Sequence, residues 1–451
     1  MLNLPRRPTE PKPSIYESLG VRDLPFSPNP VLNPYSQDPR VNGMIYAQPP
    51  VREAIRKFEN LLIRPEDFDN RVKMASVWAT GDVQSGRGMG KTALLSFFRQ
   101  RINNDWGLTE FAGRLSAAVI YASFPSAVDR RWMEQLAWAA LVDTCNNGVL
   151  TAARAALRRD VLTDDEISSI VDTEDGENWG NLFDTEVLKA NGISSTDLDD
   201  AVEATLRQEG VEAKPASALA RGSFDEFLRD LRRDHNLVPY YVPRDTKGLD
   251  YARDLFFNEI VLFLRAAGFA GGYLFVDDIE NLTDQMPRRH RTEFAKEFGL
   301  CMVRPGYANS DYGFFSCVLT THQQSALALA TAWNEAGLSG MARLDPGAPT
   351  SVELPEPTPD QARQILVAHL DHYRVDPTNG GSIKPFTEDG LGVLLSRSRR
   401  PRDLLSSASS VVRFAAERRL TTIDAETVHQ ALTGELPINT VDYTEGLDAV
   451  L

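Results

Sequence analysis

The chain has 451 residues, of which 42% are hydrophobic and 25% are charged, the composition of a globular protein with one large core or a few smaller ones. Its apolar runs are interrupted before they reach the roughly 18–20 residues that a membrane helix needs, and the first 40 residues lack a stretch of the signal-peptide type. We therefore expect a cytoplasmic protein that does not enter the membrane. The three cysteines are too few for a disulfide framework.

The net charge of −15 is concentrated in one segment of the chain. Fifteen acidic and only two basic residues lie between Asp164 and Glu212, so the rest of the chain is close to neutral. This distribution excludes a protein coated with basic surface. It leaves room for a local basic stripe that contacts nucleic acid, because the acidity lies elsewhere in the sequence.

The first part of the chain alternates between strand and helix patterns after an N-terminal arm. Residues 1–48 are rich in proline, which favours an extended arm. Apolar residues at helical spacing after residue 49 predict a helix before the first strand. The pattern then predicts, in chain order, a buried strand at 74–83, a glycine-rich loop at 84–90, a helix at 91–102, a second buried strand at 117–124 and helices over 129–160.

An insertion with helical patches, at about 163–248, separates this part from the next strands. Strands that alternate with helices and are followed only by helices indicate an α/β fold. We expect a three-layer domain at 49–356 around a parallel five-stranded sheet, a helical lid at 357–434 and a tail at 435–451. The elements predicted after the insertion are a helix at 249–267, a strand at 273–276, a helix at 287–301, a strand at 314–320, a helix at 323–336, a strand at 351–354, and helices at 358–373, 387–396, 401–418 and 424–433.

A glycine-rich segment, SGRGMGKT at 85–92, follows the first predicted strand and opens a helix. Glycines let the backbone fold tightly, so that successive N–H groups and the helix N-terminus point at phosphate oxygens. Lys91 is expected to reach the β- and γ-phosphates, and the Thr92 hydroxyl to ligate Mg²⁺. The segment matches GxxxxGK[ST], with Ser85 in place of the first glycine. The predicted phosphate-binding residues are Ser85, Gly86, Arg87, Gly88, Met89, Gly90, Lys91, Thr92 and Ala93.

A second motif lies at 273–281, where four apolar residues are followed by Asp277, Asp278, Ile279 and Glu280. Ligands of open α/β sheets bind at the carboxyl ends of the strands. Asp277 is therefore expected beside the Mg²⁺ of the glycine-rich loop. Asp278 is expected to act as general base or to orient the attacking water, and Glu280 is a second candidate for that role.

With these two motifs, the chain resembles the AAA+ P-loop ATPases, and among them the origin-recognition and TniB/ExeA-like ATPases. The resemblance covers about residues 24–433 without the insertion. It includes Leu24-Pro-Phe-Ser27, similar to the opening that such ATPases place before their first helix. The resemblance implies the P-loop NTPase fold, ATP with Mg²⁺ as ligands, ATP hydrolysis and a homo-oligomer.

The resemblance also implies three further site residues. Thr320 ends a strand similar to sensor 1 and would hold the attacking water. Arg343 stands where an arginine finger is expected and would project into a neighbouring subunit. Arg402, in a segment similar to the sensor 2 motif, would reach from the lid to the γ-phosphate, and Arg399 and Arg400 compete for that role.

Two main functions remain open, besides a module that binds nucleotide without hydrolysing it. In the first, nucleotide state controls assembly on duplex DNA, with the basic cluster at 287–291 facing the phosphate backbone. A solvated helix face is the alternative interpretation of that cluster. In the second, the chain is a signalling or anti-phage-defence scaffold that binds an effector protein through the acidic segment 164–212. That segment is equally compatible with a solvated surface.

Overall fold

The computed structural model describes residues 14–48, 51–64, 66–79, 88–123, 132–173, 176–234, 247–283, 286–302, 313–340 and 343–433. The chain divides into two compact units. The first is built from residues 51–356, and the second combines residues 1–50 with residues 357–451. None of the helices in the described ranges is long and apolar enough to cross a membrane.

A five-stranded parallel sheet forms the centre of the first unit, as the sequence predicts. The strands of the chain are β1 (Met74–Ala79), β2 (Ser116–Ser123), β3 (Asp172–Thr173), β4 (Gly176–Glu177), β5 (Phe269–Asp277), β6 (Phe315–Thr321) and β7 (Ser351–Leu354). The order in the sheet is β2-β5-β6-β1-β7, while β3 and β4 form a separate antiparallel pair. Strand β1 is buried along its whole length, as expected for a parallel sheet covered by helices.

The first unit contains helices that flank this sheet and helices of the insertion. They are α1 (Arg52–Leu62), α2 (Lys91–Asn103), α3 (Trp132–Asn146), α4 (Val149–Asp160), α5 (Asp164–Val171), α6 (Thr185–Ala190), α7 (Ser195–Gln208), α8 (Ala213–Arg221), α9 (Phe224–Asp234), α10 (Lys247–Asp254), α11 (Val261–Ala266), α12 (Ile279–Thr283), α13 (Arg288–Met302) and α14 (Gln323–Glu335). The single helix predicted at 249–267 contains a π-helical segment, Leu255–Ile260, between α10 and α11.

Strand β2 is an edge strand whose outer main-chain groups bond to side chains of two helices. The Val119 N–H donates to the side-chain oxygen of Asn103, and the Asn103 amide nitrogen donates to the Val119 carbonyl oxygen, both over 2.8 Å. The Asn147 amide also donates to the Val119 carbonyl oxygen. The backbone N–H of Tyr121 donates to the buried carboxylate of Asp143 (2.7 Å). Side chains of α2 and α3 thus replace the missing neighbouring strand.

The insertion is folded onto the α/β unit. Val202 and Leu206 of α7 belong to the main hydrophobic core of that unit. Arg154 and Arg158 of α4 both bond to the Asp199 carboxylate of α7, and Arg158 also donates to a backbone carbonyl of the insertion. The acidic segment is therefore built into the domain, although many of its carboxylates face solvent.

The second unit joins the N-terminal segment to the C-terminal helices, α15 (Pro359–Tyr373), α16 (Glu388–Arg397), α17 (Pro401–Glu417) and α18 (Ala425–Thr433). The sequence suggests a separate extended arm at 1–48. The described part of it, residues 14–48, does contain little regular structure, but it packs together with the C-terminal helices. Four of its apolar side chains are buried in the same core as these helices, namely Leu19, Val21, Leu24 and Phe26.

Candidate functional site

Three neighbouring strands end at one edge of the sheet, and each contributes polar side chains there. Tyr121 and Ser123 are at the end of β2, Asp277 ends β5, and Thr320 is near the end of β6. The remaining residue, Asp278, follows β5 directly. The parallel order β2-β5-β6 brings these residues together, because all carboxyl ends of a parallel sheet lie on the same side.

The Asp277 carboxylate is held by three donors. The Tyr121 hydroxyl donates to Oδ2 over 2.7 Å. Oδ1 accepts from the Thr320 hydroxyl and from the backbone N–H of Asp278, the latter at 3.0 Å. The side chain is 1% exposed. A buried carboxylate with donors on both oxygens has one defined orientation, as a metal-ligating or charge-positioning group requires.

Asp278 has an unusual backbone conformation and a raised side-chain pKa. Its φ is 56°, in the left-handed region that residues other than glycine seldom adopt. The Ser123 hydroxyl donates to the Asp278 carboxylate over 3.1 Å. The backbone N–H of Asp278 also donates to the Thr320 hydroxyl over 3.1 Å. Burial, together with the neighbouring carboxylates of Asp277 and Glu280, raises the pKa of Asp278 to about 7. The carboxyl group is thus poised to change its protonation near neutral pH.

The glycine-rich segment is described from Gly88 onward. Gly88 and Gly90 have φ values of 79° and 94°, which glycine adopts without strain. Gly90 is the N-cap of α2 and offers no side chain to cap the helix, so the first-turn N–H groups are not capped in that way. The predicted residues Ser85, Gly86 and Arg87 lie outside the described residues.

Lys91 connects this helix start to the acidic motif. Its side chain is buried, and its Nζ lies 3.8 Å from Oε1 of Glu280, which is buried as well. Met89 is buried, while Thr92 and Ala93 are half-buried in the first turn of α2. The fold therefore brings the two sequence motifs, which are far apart in the chain, into direct contact.

Other predicted site residues lie elsewhere in the fold. Arg343 is exposed in the segment before β7 and forms an ion pair with Asp345 (2.6 Å). Arg402 is exposed in the first turn of α17, within the second unit. In the basic cluster, Arg288 pairs with Glu335 (3.2 Å) and Arg289 with Glu293 (2.9 Å).

Sequence reasoning missed Tyr121 and Ser123. Both lie on the same side of β2, since their positions differ by two. The available signal is weak: Ser123 places a hydroxyl group at the carboxyl end of a mostly apolar strand, and ligands bind at such strand ends. Nothing in the linear pattern indicates that the Tyr121 hydroxyl lies beside Asp277, because β2 and β5 become neighbours only in the folded sheet.

Together these groups form a buried cluster of carboxylates beside a lysine at the N-terminus of a helix. The lysine and uncapped helix start can attract an anion, and the carboxylates can hold a cation or accept a proton. An anionic ligand that brings its own cation fits both properties. No protein-family model and no curated protein matches this chain.

Proposed function

We propose that this chain binds ATP with Mg²⁺, hydrolyses it, and uses its nucleotide state to control assembly, as an ATPase of the AAA+ kind. The observation that carries the proposal is the position of Lys91, at the start of a helix that follows a glycine-rich turn and 3.8 Å from Glu280. A buried lysine, a helix N-terminus and a strand end with two carboxylates are the parts that phosphoryl transfer requires.

The residues present fit a magnesium–triphosphate ligand. The backbone N–H groups around Gly88 and Gly90 would contact phosphate oxygens, and Lys91 would neutralise part of their charge. Thr92 and Asp277 would hold the ion. Among the described residues, no group of three His, Cys, Asp or Glu side chains could hold a metal ion by itself. Mg²⁺ commonly takes only one or two protein carboxylates and completes its shell with phosphates and water.

Asp278 would take up the proton of the attacking water. The water oxygen forms a bond to the γ-phosphorus, the bond from that phosphorus to the bridging oxygen breaks, and ADP leaves with the bonding electrons. Bound Mg²⁺ would neutralise the charge that develops on the phosphate oxygens. A carboxylate with a pKa of about 7 suits a general base at neutral pH, which supports Asp278 over Glu280 in this role.

Glu280 would act first as the counter-charge of Lys91 when phosphate is absent. Triphosphate oxygens would then compete with this carboxylate for the lysine, and Glu280 would be released next to the reacting water. The buried position of both side chains supports this exchange, since an isolated buried charge is unfavourable.

Assembly would depend on two exposed arginines. Arg343 is exposed, so a neighbouring subunit could accept it as an arginine finger, and Arg402 would report the nucleotide from the lid. Direct contact with duplex DNA through the cluster at 287–291 has weaker support. Arg288 and Arg289 already pair with glutamates, and Arg291 donates to a backbone carbonyl.

This pairing of the basic cluster favours a second candidate function. Here the chain would be an ATP-controlled scaffold that binds an effector protein through the acidic segment 164–212. The segment is held by Arg154 and Arg158 and exposes carboxylates along α5 and α7, which supports a defined surface for a basic partner.

The proposal is tested by measuring ATP binding and turnover of the purified chain together with Lys91→Ala and Asp278→Asn. We expect the first variant to bind ATP more weakly and the second to bind ATP but to lose turnover. Electron microscopy with a slowly hydrolysed ATP analogue, with and without duplex DNA, would then separate assembly on DNA from assembly alone. A wild-type chain that binds no nucleotide would disprove the proposal.

Deleting 163–212 is not a suitable test of the scaffold alternative, because this deletion removes core residues of α7. Changing the exposed acids Asp164, Asp165 and Asp197 to asparagine keeps the core and removes only charge. Loss of effector binding in this variant, with ATP turnover retained, would support the scaffold. Unchanged binding of a candidate effector would argue against it.

A further inference from the structure

Tyr121 is anchored twice beside the candidate site. Its hydroxyl donates to Oδ2 of Asp277, and its backbone N–H donates to Oδ2 of Asp143, both over 2.7 Å. The tyrosine side chain is only 6% exposed. Because β2 is an edge strand, this backbone N–H has no neighbouring strand on its outer side and bonds to α3 instead.

The second partner of Tyr121, Asp143, also bonds to helix α2, which begins at Lys91. Asp143 Oδ1 accepts a hydrogen bond from Arg99 Nη2 over 2.9 Å, and both side chains are buried. Arg99 lies in α2, the helix that begins at Lys91. A buried ion pair with hydrogen bonds on both carboxylate oxygens holds its members in one geometry. The Tyr121 main chain is therefore fixed relative to the helix that carries the lysine.

We propose that Tyr121 is a positioning residue that sets the orientation of the Asp277 carboxylate for the magnesium ion. The inference rests on the proposed function, because it concerns the metal of the same site. Loss of a partner that orients a metal ligand typically costs about 10–100-fold in metal affinity. Asp277 keeps its bonds to Thr320 and to the Asp278 N–H when the tyrosine hydroxyl is removed, so the lower end of that range applies.

The test compares Tyr121→Phe with Tyr273→Phe. Both substitutions remove one buried hydroxyl and keep the ring. The Tyr273 hydroxyl donates to the Leu62 carbonyl oxygen over 2.7 Å and has no part in the carboxylate site. Binding of a fluorescent ATP analogue is measured during a Mg²⁺ titration and again with EDTA, and thermal unfolding is followed for each variant.

We expect the Mg²⁺ midpoint of Tyr121→Phe to rise about tenfold, while the affinity for nucleotide in EDTA stays at the wild-type value. Tyr273→Phe should keep the wild-type midpoint. An unchanged midpoint in Tyr121→Phe, or an equal shift in both variants, would overturn the positioning role and leave the ATPase proposal intact. A wild-type chain whose nucleotide binding does not respond to Mg²⁺ would overturn both.

Discussion

Lys91 Nζ lies 3.8 Å from Glu280 Oε1, and both side chains are buried at the edge of the central sheet. The lysine belongs to the glycine-rich motif and the glutamate to the acidic motif, so this single contact joins the two sequence signals. On the proposed function, a bound phosphate would compete with this carboxylate for the lysine. Competition between a carboxylate and a ligand for one cation can be measured.

Lys91→Ala should abolish this competition by removing the cation. We expect ATP binding to weaken by roughly 10- to 100-fold, because a hydrogen bond to a charged group is worth about 1.5–3 kcal/mol. ATP-dependent assembly should be lost with it. The variant should also be less stable by about 3–5 kcal/mol, since the buried Glu280 loses this counter-charge. Isothermal titration and urea unfolding measure the two effects.

The companion variant Glu280→Gln separates the two roles of the glutamate. Combined with Lys91→Ala, it should restore part of the lost stability, because the side chain that has lost the lysine is then neutral. Alone, it should bind ATP more tightly, since Lys91 is no longer shared. If Glu280→Gln leaves affinity unchanged and removes turnover instead, then Glu280 is the water-orienting residue and Asp278 is not.

Asp278 should give turnover a pH dependence near neutrality. Its pKa in the nucleotide-free chain is about 7, and the ionised form is the base, so kcat/KM should rise as pH increases from about 6 to 8. Asp278→Asn should lower turnover by about 100-fold or more, and its turnover should no longer rise between about pH 6 and 8. Steady-state phosphate release at constant ionic strength measures both effects, and unchanged ATP affinity is the control.

Asp278 should also make the stability of the fold depend on pH, in the direction opposite to that of turnover. The folded-state pKa is raised above the unfolded value, so the folded chain binds the proton more tightly and stability falls as pH rises from about 4 to 7. Asp278→Asn should therefore melt at a higher temperature than the wild type at pH 8, where the native carboxyl is ionised. Equal melting temperatures at pH 8 would contradict the proposed environment of this carboxylate.

Thr320 should support turnover through its hydroxyl. It donates to Asp277 and accepts the Asp278 N–H, so it bridges both carboxylate residues. Thr320→Val removes both bonds and should lower turnover by about 10- to 100-fold. Thr320→Ser keeps the hydroxyl and should stay close to wild type. If valine and serine are equally impaired, packing of the methyl group matters and the hydroxyl does not.

Asp199 should be the main anchor of the acidic insertion. It accepts from both Arg154 and Arg158, and Arg158 is almost fully buried. Asp199→Ala should cost about 3 kcal/mol, because it leaves buried guanidinium charge without this partner. Asp197→Ala, an exposed acid of the same helix, should cost less than about 1 kcal/mol. Chemical denaturation measures both values, and similar values for the two would show that the insertion is held by apolar contacts alone.

Arg343 should act on a neighbouring subunit. Arg343→Ala should keep ATP binding but lose turnover, because its own phosphate site is intact. Asp278→Asn is expected to bind ATP without turning it over, and it carries Arg343. Mixing the two inactive variants should therefore restore part of the activity if the arginine works between subunits. No recovery in a mixture that is shown to co-assemble would exclude this role.

The course of the chain could be predicted closely from the sequence. The predicted strand at 351–354 coincides with β7, and the helix predicted at 91–102 corresponds to α2 (Lys91–Asn103). These segments are buried and apolar or strongly periodic, so local pattern decides them. The packing of residues 14–48 could not be predicted from the sequence. Proline-rich spacing does not indicate that Leu24 and Phe26 are buried in one core with the C-terminal helices.

The alternation of strands and helices, the glycine-rich turn and the two carboxylates after an apolar strand can be predicted from the sequence, because these features depend on neighbours along the chain. Which side chains meet is known only from the folded chain. The order β2-β5-β6-β1-β7 sets Tyr121 beside Asp277 and Lys91 beside Glu280. Strand order and helix crossing depend on the packing of the whole core, and the residues of either motif alone do not indicate that packing.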